Sequence, residues 1–192
     1  MKKMKTLFTR HFVNHKIVGI DTVPAEGCEW VLKGEGVATR KLDGTCCLVK
    51  DGVLFARFDW KKGRKLPQGA IPCQEQPDSV TGSFPHWIPV TDDNQFKWHR
   101  LSFEKLEDKV DGTFELIGKH INGNPEGIED GDILVRHGSI ILDDVPRTFE
   151  GIKEFLRTHE IEGIVFHREN GEMCKIKRTD FGFDWNNNLK RH

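Results

Sequence analysis

The chain has 192 residues, enough for one domain with a real core. A formal net charge of −1, with 31% charged residues, excludes a global electrostatic pull toward nucleic acid or membrane and leaves only local charged sites. Five cysteines without C-x-x-C spacing argue against a disulfide framework or a structural zinc site, and nine histidines show neither H-E-x-x-H nor H-x-H spacing.

In chain order, the first informative stretch is Lys41-Leu42-Asp43-Gly44, with Val37 and Ala38 before it and Cys46, Cys47, Leu48 and Val49 after it. That setting predicts a lysine held in a strand. Alone, the motif equally describes an ordinary strand and turn with an exposed lysine. Residues 45–58 alternate about Lys50-Asp51-Gly52, a hairpin signature, because Asp-Gly accepts the positive φ of a type I′ turn. Basic Arg57, Lys61, Lys62, Arg64 and Lys65 then interleave with Phe55, Phe58 and Trp60, offset only by Asp59. Such a run could track phosphates and stack on bases, or simply be a solvated loop.

Residues 66–100 carry Pro67, Gly69, Pro72, Pro77, Gly82, Pro85 and Pro89, and are expected to form a long functional loop in which Phe84, Trp87, Ile88 and Trp98 pack. Strands are expected at 113–118 and 132–142. Thr148 starts the one convincing helix, with Ile152, Phe155, Leu156 and His159 on one face. The last pair of strands is Glu162-Gly163-Ile164-Val165-Phe166 and Met173-Cys174-Lys175-Ile176-Lys177. A two-residue Asn170-Gly171 turn would set Phe166 against Lys175, Ile164 against Lys177 and Glu162 against Thr179. Glu162, Lys175 and Lys177 would then share one sheet face. A cleft for phosphate and metal fits that pattern, and so does a surface ion pair.

Taken in order, these pieces resemble the covalent nucleotidyltransferase superfamily of ATP-dependent ligases and RNA capping enzymes. Its marks are K-x-D-G, a strand ending in glutamate, E-G-[IV]-V and K-x-K. Here they are Lys41-Leu42-Asp43-Gly44, Phe114-Glu115-Leu116-Ile117-Gly118, Glu162-Gly163-Ile164-Val165-Phe166 and Lys175-Ile176-Lys177. Residues 36–47, 81–90 and 97–100 are more similar still to the RNA ligase family that includes the vertebrate cytosolic 5′–3′ RNA ligase. The resemblance implies one α+β nucleotidyltransferase domain over residues 1–192, with antiparallel sheets and few helices. It leaves no sequence after about residue 185 for the OB-fold of DNA ligases and capping enzymes.

It also implies a chemistry. Lys41 would attack the α-phosphorus of ATP, with Asp43, Lys175 and Lys177 as catalytic partners. As a lysine attacks only as the free base, partial burial and the charges of Lys175 and Lys177 are expected to activate it. Nucleotide contacts are expected from Val37, Ala38, Thr39, Arg40, Gly44, Arg57, Glu115, Lys175 and Lys177. Glu162, and Glu115 too, would place Mg2+ (or Mn2+), with Glu115 alternatively on the ribose hydroxyls. The partners implied are ATP and RNA with 5′-phosphate and 3′-hydroxyl ends. Two departures stand out: Arg40 occupies the place where many ligases have glutamate, and no Phe, Tyr or Trp occurs in residues 131–138, which leaves His137 as the planar ring for adenine or a plain loop histidine. A DNA ligase, a GTP-using capping-type enzyme and a non-catalytic RNA- or nucleotide-binding module are the alternatives. With no run of 18 apolar residues and no apolar leader, an intracellular, cytoplasmic chain without a membrane partner is expected.

Overall fold

The structure is a computed structural model and describes residues 3–14, 16–61, 63–79 and 81–185. In chain order its strands are β1 (Lys5–Thr6), β2 (Phe8–Val13), β3 (Lys16–Pro24), β4 (Val37–Lys41), β5 (Thr45–Lys50) and β6 (Val53–Trp60). There follow β7 (Ile71–Pro72), β8 (Phe84–Pro89), β9 (Gly112–Gly118), β10 (Asp132–Arg136), β11 (Gly163–His167) and β12 (Met173–Lys177). The helices are α1 (Glu29–Leu32), α2 (Lys97–Glu104) and α3 (Phe149–Thr158). The fold is therefore α+β with mostly antiparallel sheets and few helices. No helix among the described residues is long and apolar enough to cross a membrane.

Two compact units divide the chain: a central unit, Asp43–His137 with Met1–Lys3, and a terminal unit, Met4–Leu42 with Gly138–His192. The division falls between Leu42 and Asp43, inside the K-x-D-G motif.

The central unit is built on a six-stranded sheet ordered β10-β9-β5-β6-β8-β7. Asp51 and Gly52, at φ 51° and 74°, form the two-residue turn expected between β5 and β6, and Lys50 pairs with Val53 across it. One face buries Cys47, Val49, Leu54, Phe114, Leu116 and Leu134. The segment expected to be a long loop contains β7, β8 and α2 instead. Its prolines read as breaks, yet Pro85 sits in β8, where its missing N–H is harmless and its carbonyl accepts from Cys73 N–H at 2.9 Å. Trp87 and Ile88 are buried, as expected.

The terminal unit holds a four-stranded sheet, β1-β12-β11-β4, and a separate β2-β3 ribbon. Its core gathers Phe8, Trp30, Ile152, Leu156, Ile164, Phe166 and Ile176. Thr148 caps α3 as predicted, its side chain accepting from Gly151 N–H, and Ile152 and Leu156 are its buried pair. The strand expected over 132–142 stops at Arg136; Gly138 turns the chain at φ 79°, and Ile141 bridges to Thr39.

The register of the final hairpin differs from the expected one by a residue. Gly163 pairs with Lys177, Val165 with Lys175 and Phe166 with Cys174. Arg168 and Glu172 close a three-residue loop, with Arg168 N–H on Glu172 O and Gly171 N–H on Arg168 O, both at 2.9 Å. Gly171 takes the left-handed conformation at φ 85° and Asn170 does not, so this is a turn followed by a glycine bulge, not a type I′ turn. A one-residue shift exchanges faces: Ile164 and Phe166 lie on the core side, while Lys175 and Lys177 stand opposite Val165 and Gly163.

Candidate functional site

In the terminal unit β11 lies between β4 and β12, so two rows of residues cross three strands on one face. One row is Lys41, Gly163 and Lys177; the next is Thr39, Val165 and Lys175. Glycine is required at 163 because a Cβ there would come within 2.2 Å of the Ile176 carbonyl oxygen. Glu162, just before β11, receives Lys41 Nζ on Oε2 at 2.5 Å and Lys177 Nζ on Oε1. Its side chain is only 4% exposed, so the two amines offset the cost of burying the carboxylate. The sequence reading looked for cations around Lys41; the group that holds its amine is this carboxylate.

Lys175 has no such partner among the described residues. Its burial, and then the charges of Lys41, Lys177 and Arg10, pull its pKa down from 10.5 to about 8, against the opposing effect of Glu162. Arg10 reaches in from β2 and ion-pairs with Asp180 at 2.8 Å, and Asp180 also accepts from Lys177 N–H at 2.9 Å. Thr39 Oγ1 lies 3.2 Å from Val165 O and 2.9 Å from His167 Nε2. Ala38 and Arg40 alternate to the other face; Ala38 packs in the core, and its carbonyl accepts from Leu142 N–H at 2.9 Å. Val37 is an exposed end of β4.

In the central unit, side chains clamp the backbone of Asp43 and Gly44. Glu126 accepts from Asp43 N–H at 2.7 Å, Glu115 from Gly44 N–H at 3.1 Å, and Asn122 donates to Gly44 O at 2.8 Å. Gly44 is needed here because a Cβ would come within 2.1 Å of Leu116 O. The second oxygen of Glu115 lies 2.7 Å from His137 Nε2, and Cys46 faces Glu115 directly across β5 and β9. Burial, then the Glu115 charge, pushes the Cys46 thiol up to about 12. Arg57 is on β6, 3.4 Å from Asp59, and exposed Lys61, Arg64 and Lys65 follow; Lys62 lies outside the described residues.

Within the terminal unit, Lys41, Glu162, Lys175 and Lys177 are therefore brought together. Within the central unit the same holds for Gly44, Glu115 and His137. Sequence reasoning missed Arg10, Asp180, Asn122 and Glu126. Arg10 and Asp180 are separated by 170 positions, so no local pattern links them. The Asn122-Gly123-Asn124 turn, with all three residues at positive φ, was the one legible sign of a structured loop after β9.

The model of the RNA ligase 1 family matches residues 100–191. RNA ligase 1 of Pongo abelii is 28% identical over 78% of this chain and 68% of its own length, and that of Danio rerio is 28% identical over 77% and 68%. RNA ligase 1 of Rattus norvegicus is 27% identical over the same shares as the first. The matched family segment carries Glu115, Glu162 and the Lys175-Lys177 pair, and on these matches the chain is similar to the RNA ligase 1 proteins over most of its length.

Proposed function

We propose that this chain is an ATP-dependent RNA ligase that works through a covalent AMP on Lys41. The observation that supports this most is the row Lys41, Gly163, Lys177 with both amines held by the buried Glu162 carboxylate, in a chain similar to RNA ligase 1 proteins. As the free amine, Lys41 Nζ forms a bond to the α-phosphorus of ATP while the bond to the bridging oxygen breaks, and pyrophosphate leaves with the electron pair. The AMP then passes to the 5′-phosphate of an RNA strand. A 3′-hydroxyl attacks that phosphate, and AMP departs as the new phosphodiester forms.

Lys175 and Lys177 put positive charge beside the phosphate oxygens as negative charge develops on them. Magnesium, or manganese, suits Glu162: the donor is a single buried carboxylate, the kind of ligand such an ion takes together with phosphate oxygens and water. Either ion would there neutralise phosphate charge. Both Glu162 oxygens now meet lysine amines, so an ion would replace one of those contacts. Glu115, already fixed by Gly44 N–H, is better suited to ribose hydroxyls, and His137, tied to Glu115, to the adenine face. Glu126, Glu115 and Asn122 hold the Asp43 and Gly44 backbone, the second half of the K-x-D-G motif. Val37, Thr39 and Arg57 are further nucleotide contacts in this reading, and any contribution of Ala38 or Arg40 comes from the backbone.

The test is incubation with α-labelled ATP and magnesium followed by a denaturing gel. The wild-type chain should carry the label, and Lys41→Ala should carry none while melting like the wild type. A labelled Lys41→Ala band would move the nucleophile elsewhere and end the reading. Sealing of a 5′-phosphorylated RNA in the same mixture tests the acceptor.

A further inference from the structure

Strands β5, β9 and β10 bring a thiol, a carboxylate and an imidazole onto one patch of the central unit. Cys46 is paired with Glu115, and Glu115 with Val135, two residues before His137. One ligand atom from each of Cys46, Glu115 and His137 lies within 4.8 Å of the other two, and no other such group of His, Cys, Asp and Glu occurs among the described residues. In the same patch, His137 Nε2 and Glu115 Oε2 stand 2.7 Å apart.

The donor set selects the ion. Magnesium takes oxygen ligands, whereas sulfur, nitrogen and oxygen together suit a borderline-soft ion such as Zn2+. Metal–ligand bonds of about 2.0–2.3 Å hold the donors of a tetrahedral site roughly 3.3–3.8 Å apart. To reach this the widest separation must close by about 1 Å, while the Glu115–His137 pair must open by roughly 0.6 Å, both within the reach of side-chain rotation. Three protein ligands leave the fourth position open.

We infer that Cys46, Glu115 and His137 form a binding site for zinc or a similarly soft divalent ion, and that its occupation withdraws Glu115 from the nucleotide and inhibits transfer to Lys41. The second half rests on the function proposed above; the first does not. Cobalt(II) is the probe. Titrated into the nucleotide-free full chain, one equivalent should give the strong visible bands of four-coordinate cobalt and a near-ultraviolet thiolate-to-cobalt band, both erased by zinc. Cys46→Ser should lose the thiolate band and keep the wild-type melting curve, Cys73→Ser should retain the band, and His137→Ala should weaken binding by roughly tenfold or more. A thiolate band that persists in Cys46→Ser, or only the weak bands of six-coordinate cobalt, overturns the site.

In the second arm, micromolar zinc is added to the labelling reaction with magnesium and α-labelled ATP. Wild-type labelling should fall, and Cys46→Ser, which lies outside the proposed nucleotide contacts, should resist. Equal inhibition of the two overturns the regulatory half. A chain that takes no label at all defeats the ligase reading, and the cobalt spectra then decide the metal site by themselves.

Discussion

An ammonium group gives up hydration when its strand is packed, and at Lys175 the loss is compounded by Lys41, Lys177 and Arg10. The folded chain releases this proton near pH 8, whereas the unfolded chain holds it to 10.5. Below pH 8 both states are charged, and the folded state bears the full cost of the buried cation. Between pH 8 and 10.5 the unfolded state binds more protons, so stability rises with pH across that window. Thermal melts of the wild type should therefore gain on those of Lys175→Met over this range, since the variant lacks the group that titrates. Parallel curves would mean that Lys175 is better solvated than its surroundings imply. The same cost gives the residue a use. A cation held against unfavourable neighbours gains most when an anion such as phosphate arrives, and binding then relieves repulsion already present in the fold.

At the scale of the element, the central strand β11 matters most, because Gly163 pairs with Lys41 on one side and with Lys177 on the other. A methyl group at 163 would come within 2.2 Å of Ile176 O, and a carbonyl in a paired strand cannot move aside cheaply. Gly163→Ala should cost about 1–3 kcal/mol, in line with other overpacked positions. Chemical denaturation reads this as a lower midpoint; an unchanged midpoint would show that β12 yields freely. The glycine was legible in the sequence as part of a motif, but the contact that requires it was not. The same holds for the hairpin. The strands, the lysine face and the turn residues were all readable, yet Asn170-Gly171 fits both a two-residue turn and a three-residue loop with a bulge, and only Gly171 takes a positive φ. Strand β8 was hidden by Pro85 and Pro89, because a proline signals a break although a strand tolerates one where no ladder hydrogen bond needs its N–H. Helix α3 was fully legible, since its cap and its buried pair are both local.

For the molecule as a whole, a net charge of −1 means that any attraction for RNA has to come from a local surface. In the central unit the best candidate is β6 and the residues after it. Arg57 lies on the strand, Lys61, Arg64 and Lys65 are exposed beyond it, and Trp60 packs edge-on against Phe84 at 6.2 Å. Trp60 Nε1–H also donates to Arg64 O at 2.6 Å, which fixes the start of the loop that carries the basic side chains. The charges of Lys61, Arg64 and Lys65 have no evident part in the attack of Lys41 on ATP, but they would matter once a polynucleotide must be held. The triple variant Lys61→Glu, Arg64→Glu, Lys65→Glu should therefore lower RNA sealing by roughly tenfold or more while Lys41 labelling falls far less. Each phosphate contact with a single strand contributes about 0.7 to the slope of log affinity against log salt. Losing three contacts should flatten that slope by about 2. Filter binding of a 5′-phosphorylated RNA across a salt series, run beside the labelling assay, measures both. If labelling and sealing decline in parallel and the slope does not change, this patch is only a solvated surface, and the RNA is held elsewhere.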